Sequence, residues 1–449
     1  LLSAYVGSDE EPRLNTIGGV EFARQKEKVK ASVKKMTFDL LKLYAEREKR
    51  KGYIYEKDNY LYDEFEKSFL YEETEDQLKA IADIKRDMES DKILDRLICG
   101  DVGYGKTEVA LRAAYKAVLS GKQVAFLCPT TVLSEQHYNT CKERFKDFMV
   151  NVEVLNRFKS QKREVEPILQ KLAEGKIDII CGTHRLLNKD VKFKDLGLLI
   201  LDEEQKFGVE HKDKIKQIKT DIDVLTLSAT PIPRTLQMSL SGIRDISLIE
   251  TPPKNRLPVQ TYVCEYSDQL LVDACKKEIS RNGQVFIIYN EIKTIDDFAS
   301  RVHELFPDAQ IGVAHAEMSK QLLKQTITKM YNQEYDIVIA TTLIENGIDN
   351  PFANTLIVIN SDRLGLAELY QLRGRVGRSD RLAYAYLTFE PQKMLTENAY
   401  KRLEALSQFT ELGSGFKIAM RDLEIRGAGD VLGREQHGHL TKIGYELYN

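Results

Sequence analysis

From about residue 96 onward, short apolar runs alternate with amphipathic stretches, and this alternation constrains the fold more than any other feature. Runs at 96–99, 123–128, 151–155, 178–181, 196–201 and 223–227 are rich in Val, Ile and Leu, as strands buried on both faces are. The stretches between them, at 107–119, 133–145 and 163–173, suit crossover helices. A parallel sheet with helices on its faces follows. Thr251-Pro252-Pro253-Lys254-Asn255-Arg256-Leu257-Pro258 then breaks the pattern as a semi-rigid linker. Beyond it the alternation restarts, with runs at 260–266, 284–289, 310–314, 336–340, 355–359 and 383–389. The expected fold class is α/β, with two parallel-sheet domains in tandem, at 53–250 and 251–409. Residues 21–51 hold no Gly or Pro and read as one long helix stopping at Gly52, with Val33, Met36, Leu40, Leu41 and Tyr44 as its apolar stripe. Its Lys/Arg excess reads as a solvated face. The segment 410–449, with Gly413, Gly415, Gly427, Gly429, Gly433 and Gly438, is too glycine-rich for a further sheet unit.

Composition closes off other classes. Apolar residues are 42% and charged residues 30% of the 449, which excludes a disordered or low-complexity chain. No apolar run approaches the ~20 residues that a membrane-spanning helix needs. Asp9, Glu10, Glu11 and Arg13 follow the first apolar residues too soon for a signal peptide, and the Leu-Leu start reads as a cut fragment. The six cysteines form no CxxC pair and read as buried free thiols in a reducing cytosol, hence a cytoplasmic protein. His437 and His439 lack the further ligands that a metal site needs. With 66 Lys+Arg against 69 Asp+Glu, any nucleic-acid binding must come from local basic faces and backbone amides.

Gly100-Asp101-Val102-Gly103-Tyr104-Gly105-Lys106-Thr107 matches GxxxxGK[ST] between an expected strand and an expected helix. Gly103 and Gly105 let backbone N–H groups curl around phosphates, and the helix N-terminus adds its positive end. Lys106 would reach the β/γ-phosphates and the Thr107 hydroxyl would ligate Mg²⁺. The run Leu198-Leu199-Ile200-Leu201-Asp202-Glu203-Glu204 presents carboxylates at the end of another strand. Asp202 would hold the metal, directly or through water, and Glu203 would orient and deprotonate an attacking water. ATP and Mg²⁺ are therefore the expected ligands.

These two motifs, with Asp202-Glu203-Glu204-Gln205, Ser228-Ala229-Thr230 and Gln371-Leu372-Arg373-Gly374-Arg375-Val376-Gly377-Arg378, resemble in order the motifs of superfamily 2 helicases and translocases, from about residue 69 to 438. Within that superfamily three stretches resemble the motor part of the bacterial transcription-repair coupling factors: Tyr71–Gln77, Ala229–Leu236 and Thr410–Leu423. The last is similar to a translocation motif shared with the junction-remodelling translocase RecG. Two tandem RecA-like P-loop domains are the fold this implies. The resemblance further implies that residues 1–20 are a remnant of a polymerase-interacting domain and 21–52 a relay helix. It implies a translocation motif and tail at 410–449, and no counterpart of the family's repair-protein-like and regulatory domains.

The roles implied are these. Gln77 would pair with the adenine edge and Phe69 stack on the ring. Arg375 and Arg378 would act from the second domain as arginine fingers, with Gln371 linking nucleotide to that segment. Asp349 would sense the nucleotide near the ribose, although Asn346 and Asn350 stand where the family more usually has Thr and Ile. Ser228 and Thr230 would couple phosphate state to DNA grip. Arg421, Arg426, Arg434 and Gln436 belong to the hairpin and loop that convert closure into a step. DNA contacts are expected from Pro129-Thr130-Thr131, Arg157-Phe158-Lys159-Ser160, Thr183-His184-Arg185 and Thr342, which suit a phosphate backbone without reading bases. The expected activity is ATP-driven translocation on double-stranded DNA without unwinding. The full-length relatives would displace stalled RNA polymerase and recruit excision-repair proteins. The rival readings are a RecG-like fork remodeller and a nucleotide-switched DNA clamp with negligible turnover.

Overall fold

The computed structural model describes residues 50–159, 161–219, 221–229, 244–254, 257–342, 350, 352–377 and 381–426. Two fully parallel sheets organise them. The first contains β1 (Asp95–Gly100), β2 (Gln123–Leu127), β3 (Val152–Leu155), β4 (Ile179–Gly182), β5 (Leu196–Asp202), β6 (Asp223–Ser228) and β7 (Asp245–Ile249), in the spatial order β3-β4-β2-β5-β6-β1-β7. The second contains β8 (Gln260–Glu265), β9 (Gln284–Ile288), β10 (Ile311–Ala314), β11 (Ile337–Ala340), β12 (Ala353–Val358) and β13 (Tyr384–Phe389), in the order β10-β11-β9-β12-β13-β8. The chain covering each sheet forms one lobe.

Alternate residues of each strand feed opposite cores, which is why the strands read as unbroken apolar runs. In β5, Leu198 and Ile200 join Ile98 and Phe126 on one face, while Leu199 and Leu201 join Leu127 and Val224 on the other. The second sheet divides likewise, with Phe286 and Ile288 on one side and Val285 and Ile287 on the other. Val132, from the first lobe, packs into the second lobe's core cluster, so the lobes share apolar contact.

One strand escaped the sequence reading. β7 pairs with β1 at the sheet edge, and only Ser247 and Ile249 of its five residues are buried. Ser247 interrupts the apolar run because its hydroxyl accepts from Arg96 Nη1 at 3.0 Å. All six cysteines are free, and Cys264 alone of them is not fully buried. Among the described residues no helix is long and apolar enough to cross a membrane.

The helix Lys106–Leu119 carries two buried cations that fasten it to the segment before the first strand. Arg112, 2% exposed, donates from Nε to Glu108 at 3.1 Å and from Nη1 to Glu66 at 3.3 Å, and its Nη2 pairs with Glu73. Lys116 Nζ donates to Asp58 at 2.8 Å and to Glu89 at 2.6 Å. Buried charges persist only where paired in this way. The start of this helix, where phosphates would bind, is thus held from behind. The expected relay helix lies almost wholly outside the described residues.

Candidate active site

Because every strand of the first sheet runs the same way, the loops after β1, β5 and β6 emerge on one edge. They are neighbours in the order β5-β6-β1. The P-loop follows β1, Asp202 closes β5 and Ser228 closes β6.

Gly103 and Gly105 take left-handed φ values of +80° and +77°, a conformation L side chains rarely adopt. A Cβ on Gly105 would also run into the Gln77 amide. Lys106 Nζ donates to the carbonyls of Gly100 at 2.6 Å and Asp101 at 2.9 Å. Burial lowers its pKa, opposed by the charges of Glu203, Asp202 and Asp101. Thr107 is the second residue of the helix.

Asp202 Oδ2 pairs with His137 Nε2 at 2.8 Å, and the imidazole stacks on Phe126 with centroids 4.2 Å apart. Burial raises the Asp202 pKa, but His137, then Lys106 and Arg375, more than reverse this and hold it below the usual carboxylate value. It stays an anion able to receive a cation. Glu203 sits at φ +48°, and burial, then Asp202, raise its pKa. That is the direction that prepares a carboxylate to take a proton near neutrality. The next residue differs: Glu204 faces Lys219 at 2.8 Å and Arg244 at 3.5 Å and belongs to the framework.

The second lobe reaches this pocket through the helix Leu366–Arg373 and the turn after it. Gln371 Nε2 donates to Glu203 Oε2 at 3.2 Å, and Gln205 Nε2 donates to the same oxygen. Arg375 is buried, and its positive charge lowers the pKa of both Asp202 and Glu203. Val102 of the P-loop packs so close to Gly374 that a Cβ there would lie 3.1 Å from the valine's own Cβ. Cradle, acids and guanidinium therefore share one pocket.

Other expected site residues fall differently. Gln77 is buried at the P-loop, but its amide is engaged on both sides: Oε1 accepts from Thr74 N at 3.0 Å and Nε2 donates to Tyr104 O at 2.9 Å. The capping box of helix Glu75–Met88 uses Oε1, one of the two groups expected to meet adenine, and Tyr104 takes the other. Phe69 is half-buried, edge-on to Tyr71 at 5.6 Å. Ser228 Oγ is buried, with no hydrogen-bond partner among the described residues. Arg373, the first arginine of its motif, lies over the Tyr370 ring at 4.8 Å and donates to Leu406 O at 3.0 Å, tying down the helix Glu397–Gln408. Arg421 lies in the helix Gly415–Arg426, which Arg426 ends. Asp349, Arg378, Thr230, Arg434 and Gln436 lie outside the described residues.

The DNA candidates gather on the other half of the same edge, after β2, β3 and β4, with Thr342 after β11 of the second sheet. Thr130 Oγ1 caps the helix Thr131–Arg144, accepting from Leu133 N at 3.3 Å. Lys159 is paired with Glu153 at 2.6 Å, and Arg185 with Asp190 at 2.5 Å. Thr183 is buried, whereas Arg157 is exposed. Thr342 Oγ1 lies 3.5 Å from Asn290 Oδ1. Sequence reasoning missed His137, Asp101 and Tyr370 as parts of this site. His137 and Asp202 are 65 residues apart, and only the fold joins them.

Comparison with known proteins agrees with this geometry. The DEAD/DEAH box helicase family matches residues 74–239, and the helicase conserved C-terminal domain matches residues 266–380. The transcription-repair-coupling factor of Bacillus subtilis (strain 168) is 56% identical over 446 residues, covering 99% of this chain and 38% of the relative. That of Staphylococcus haemolyticus (strain JCSC1435) is 55% identical over the same shares. The chain thus spans less than half the length of these curated relatives. A solved structure of RecG bound to a three-way DNA junction superposes with a TM-score of 0.73 at 34% identity, covering 95% of this chain and 57% of RecG. Two parallel sheets, a P-loop with its acids on one and an arginine motif on the other, and these likenesses together place the chain among the superfamily 2 helicase-like ATPases, similar over nearly all of its length to part of the transcription-repair-coupling factors.

Proposed function

We propose that this chain is the motor of a transcription-repair coupling factor, an ATP-driven translocase that moves on double-stranded DNA without unwinding it. The observation that carries this is the shared pocket: Glu203 of the first lobe meets Gln371 of the second at 3.2 Å, with Arg375 close enough to lower its pKa. A hydrolysis site split between lobes couples turnover to their relative movement.

The residues present fit ATP with Mg²⁺. Thr107 and Asp202 would hold the ion, which neutralises phosphate charge. His137 keeps Asp202 oriented and ionised. Lys106, now on two carbonyls, would turn to phosphate oxygens. Glu203 would hold the attacking water and take its proton, while Arg375, joined by Arg378, would meet charge developing on the γ-phosphoryl group. Asp349 and Gln371 would report the nucleotide, Phe69 and Gln77 would border the base, and Ser228 and Thr230 would pass its state on. Along the same edge, Thr130, Arg157, Lys159, Thr183, Arg185 and Thr342 would hold a phosphate backbone regardless of sequence. The segment with Arg421, Arg426 and Gln436 would turn closure into a step. In the full-length protein this motor would act in the cytoplasm on stalled RNA polymerase, and excision-repair proteins would be recruited through other domains.

The likeness to RecG, across 95% of this chain, supports a second reading as a fork or junction remodeller. Three assays separate the readings. Triplex displacement from linear duplex by wild-type protein with ATP, abolished by Glu203→Gln, is the expected result. Efficient fork regression without triplex displacement supports the remodeller, and equal, negligible phosphate release by wild type and Glu203→Gln supports the clamp.

A further inference from the structure

A P-loop cradles phosphates with backbone N–H groups, so an acidic side chain in it sets a negative charge beside the place where an anion must sit. Asp101 is such a residue. It is 8% exposed, and its backbone carbonyl accepts from Lys106 Nζ at 2.9 Å. Its carboxylate turns the other way and gathers three donors from far along the chain. Oδ2 accepts from the Tyr370 hydroxyl and from Gly413 N at 2.9 Å, and Oδ1 accepts from Gly415 N at 2.8 Å. Buried carboxylates are stable when donors surround them, and the N-terminus of a helix adds favourable potential. Here that helix is Gly415–Arg426.

The fit on the far side is close. Gly413 takes φ +84°, and a Cβ there would meet Glu250 O at 2.5 Å. A Cβ on Gly415 would run into the Asp101 carboxylate and lie 2.7 Å from Ala229 O, between Ser228 and Thr230. Three segments thus converge on one point: the P-loop, the end of β6, and the start of the glycine-rich segment. Burial, then Asp101, raise the Tyr370 pKa, so its hydroxyl keeps its proton as a donor.

We propose that Asp101 is a positioning residue that couples nucleotide state to helix Gly415–Arg426, its carbonyl restraining Lys106 and its carboxylate holding Tyr370, Gly413 and Gly415. When Lys106 leaves the carbonyls of Gly100 and Asp101 for phosphate, the backbone of Asp101 is released, and the two glycine amides feel the change through its carboxylate. This rests on the translocase reading for its purpose, but its test does not.

The amides of Gly413 and Gly415 are themselves reporters. Hydrogen exchange over 413–426 is measured on the full chain, with and without a non-hydrolysable ATP analogue, for wild type, Asp101→Asn, Tyr370→Phe and Gly415→Ala. Binding of the analogue is titrated for each. The expected result is a change of about tenfold in protection on adding nucleotide to wild type, a typical size for coupled sites. The response should shrink in Tyr370→Phe and be lost in Gly415→Ala and in Asp101→Asn, each compared at an analogue concentration that saturates that variant. Asp101→Asn combined with Gly415→Ala should do no more than either alone, since both cut one link. A wild-type response persisting in Asp101→Asn and Gly415→Ala overturns the proposal, as does a wild type whose 413–426 amides ignore bound nucleotide. Triplex displacement per ATP hydrolysed is then compared in Tyr370→Phe and wild type. Wild type that hydrolyses ATP without displacement defeats the translocase reading and leaves the exchange result to judge Asp101.

Discussion

Changing either of two adjacent glutamates to glutamine should break different things. Glu204 faces inward, and its partners Lys219 and Arg244 have side chains only 9% and 4% exposed. Burial pushes the Glu204 pKa up, but the charge of Lys219, then of Arg244, draws it down from 4.5 to about 2. At about 1.4 kcal/mol per pH unit, that fall is worth on the order of 3 kcal/mol. The folded value lies below the unfolded one, so this stabilisation is fully present above pH 4.5 and is lost as pH falls towards 2. Glu204→Gln removes it and takes a carboxylate from Lys219 and from Arg244, which keeps Asp95 at 2.9 Å, a loss of about 3 kcal/mol. With a slope of about 3 kcal/mol per M in urea, the first lobe's midpoint should drop by about 1 M. The chain has no Trp, so unfolding is followed by far-UV circular dichroism, without nucleotide or metal. The gap between wild type and variant should be constant from pH 7 to 5 and narrow below 4.5. Glu203 runs the other way. Burial, then Asp202, raise its pKa, so its charge is a burden on the fold at neutral pH. Glu203→Gln should leave the urea midpoint unchanged or higher while hydrolysis falls by about 10²–10⁴. Equal midpoint shifts for the two variants, or a stable Glu204→Gln protein as inactive as Glu203→Gln, would refute this division of labour.

Three further outcomes follow from the site. Arg375→Ala should lower DNA-stimulated kcat by about 10³ while ATP analogue affinity, titrated directly, changes little, as expected of a guanidinium that meets transition-state charge. His137→Ala frees the Asp202 carboxylate to turn and should raise the Mg²⁺ concentration giving half-maximal hydrolysis by about tenfold; an unchanged Mg²⁺ curve counts against its role. Arg157→Ala should flatten the log–log salt dependence of duplex binding by about one, whereas Arg185→Ala, whose guanidinium is held by Asp190 at 2.5 Å, should change it less.

How much of this could be read from the sequence depended on how local each signal is. Strands buried on both faces must be apolar throughout, so β5 and β9 announce themselves, and a phosphate loop is written in eight consecutive residues. β7 was missed because an edge strand needs only one good neighbour, and Ser247 could be placed there to hold Arg96. Gln77 shows how an amide read for one task can be occupied by another: the group expected to meet adenine closes a capping box and props Tyr104 of the P-loop. The cations expected to face DNA look free in sequence, yet Lys159 finds Glu153 and Arg185 finds Asp190 within six residues, pairings that depend on rotamer and turn. His137 with Asp202, and Tyr370 with Asp101, are joined only when the sheets and lobes close, so nothing local reveals them.

The polarity of the seam bears directly on how such a motor can cycle. The first lobe brings Asp101, Asp202 and Glu203 to the seam with Lys106 as their near cation, and burial raises the Glu203 pKa and lowers that of Lys106. The second lobe answers with Arg375, Gln371 and the Tyr370 hydroxyl. A seam joined only through contacts such as Val102 against Gly374 would hold equally well whatever the pocket contained. This one should not, because Arg375 of the second lobe faces the buried acids of the first, and phosphate oxygens would compete for its charge. Lys106 would leave its carbonyls for a bound triphosphate and Arg375 would turn its charge from the acids towards it, and both would return once the terminal phosphate departs. On the translocase proposal, lobe closure would follow the charge in the pocket, and that charge is what hydrolysis would change.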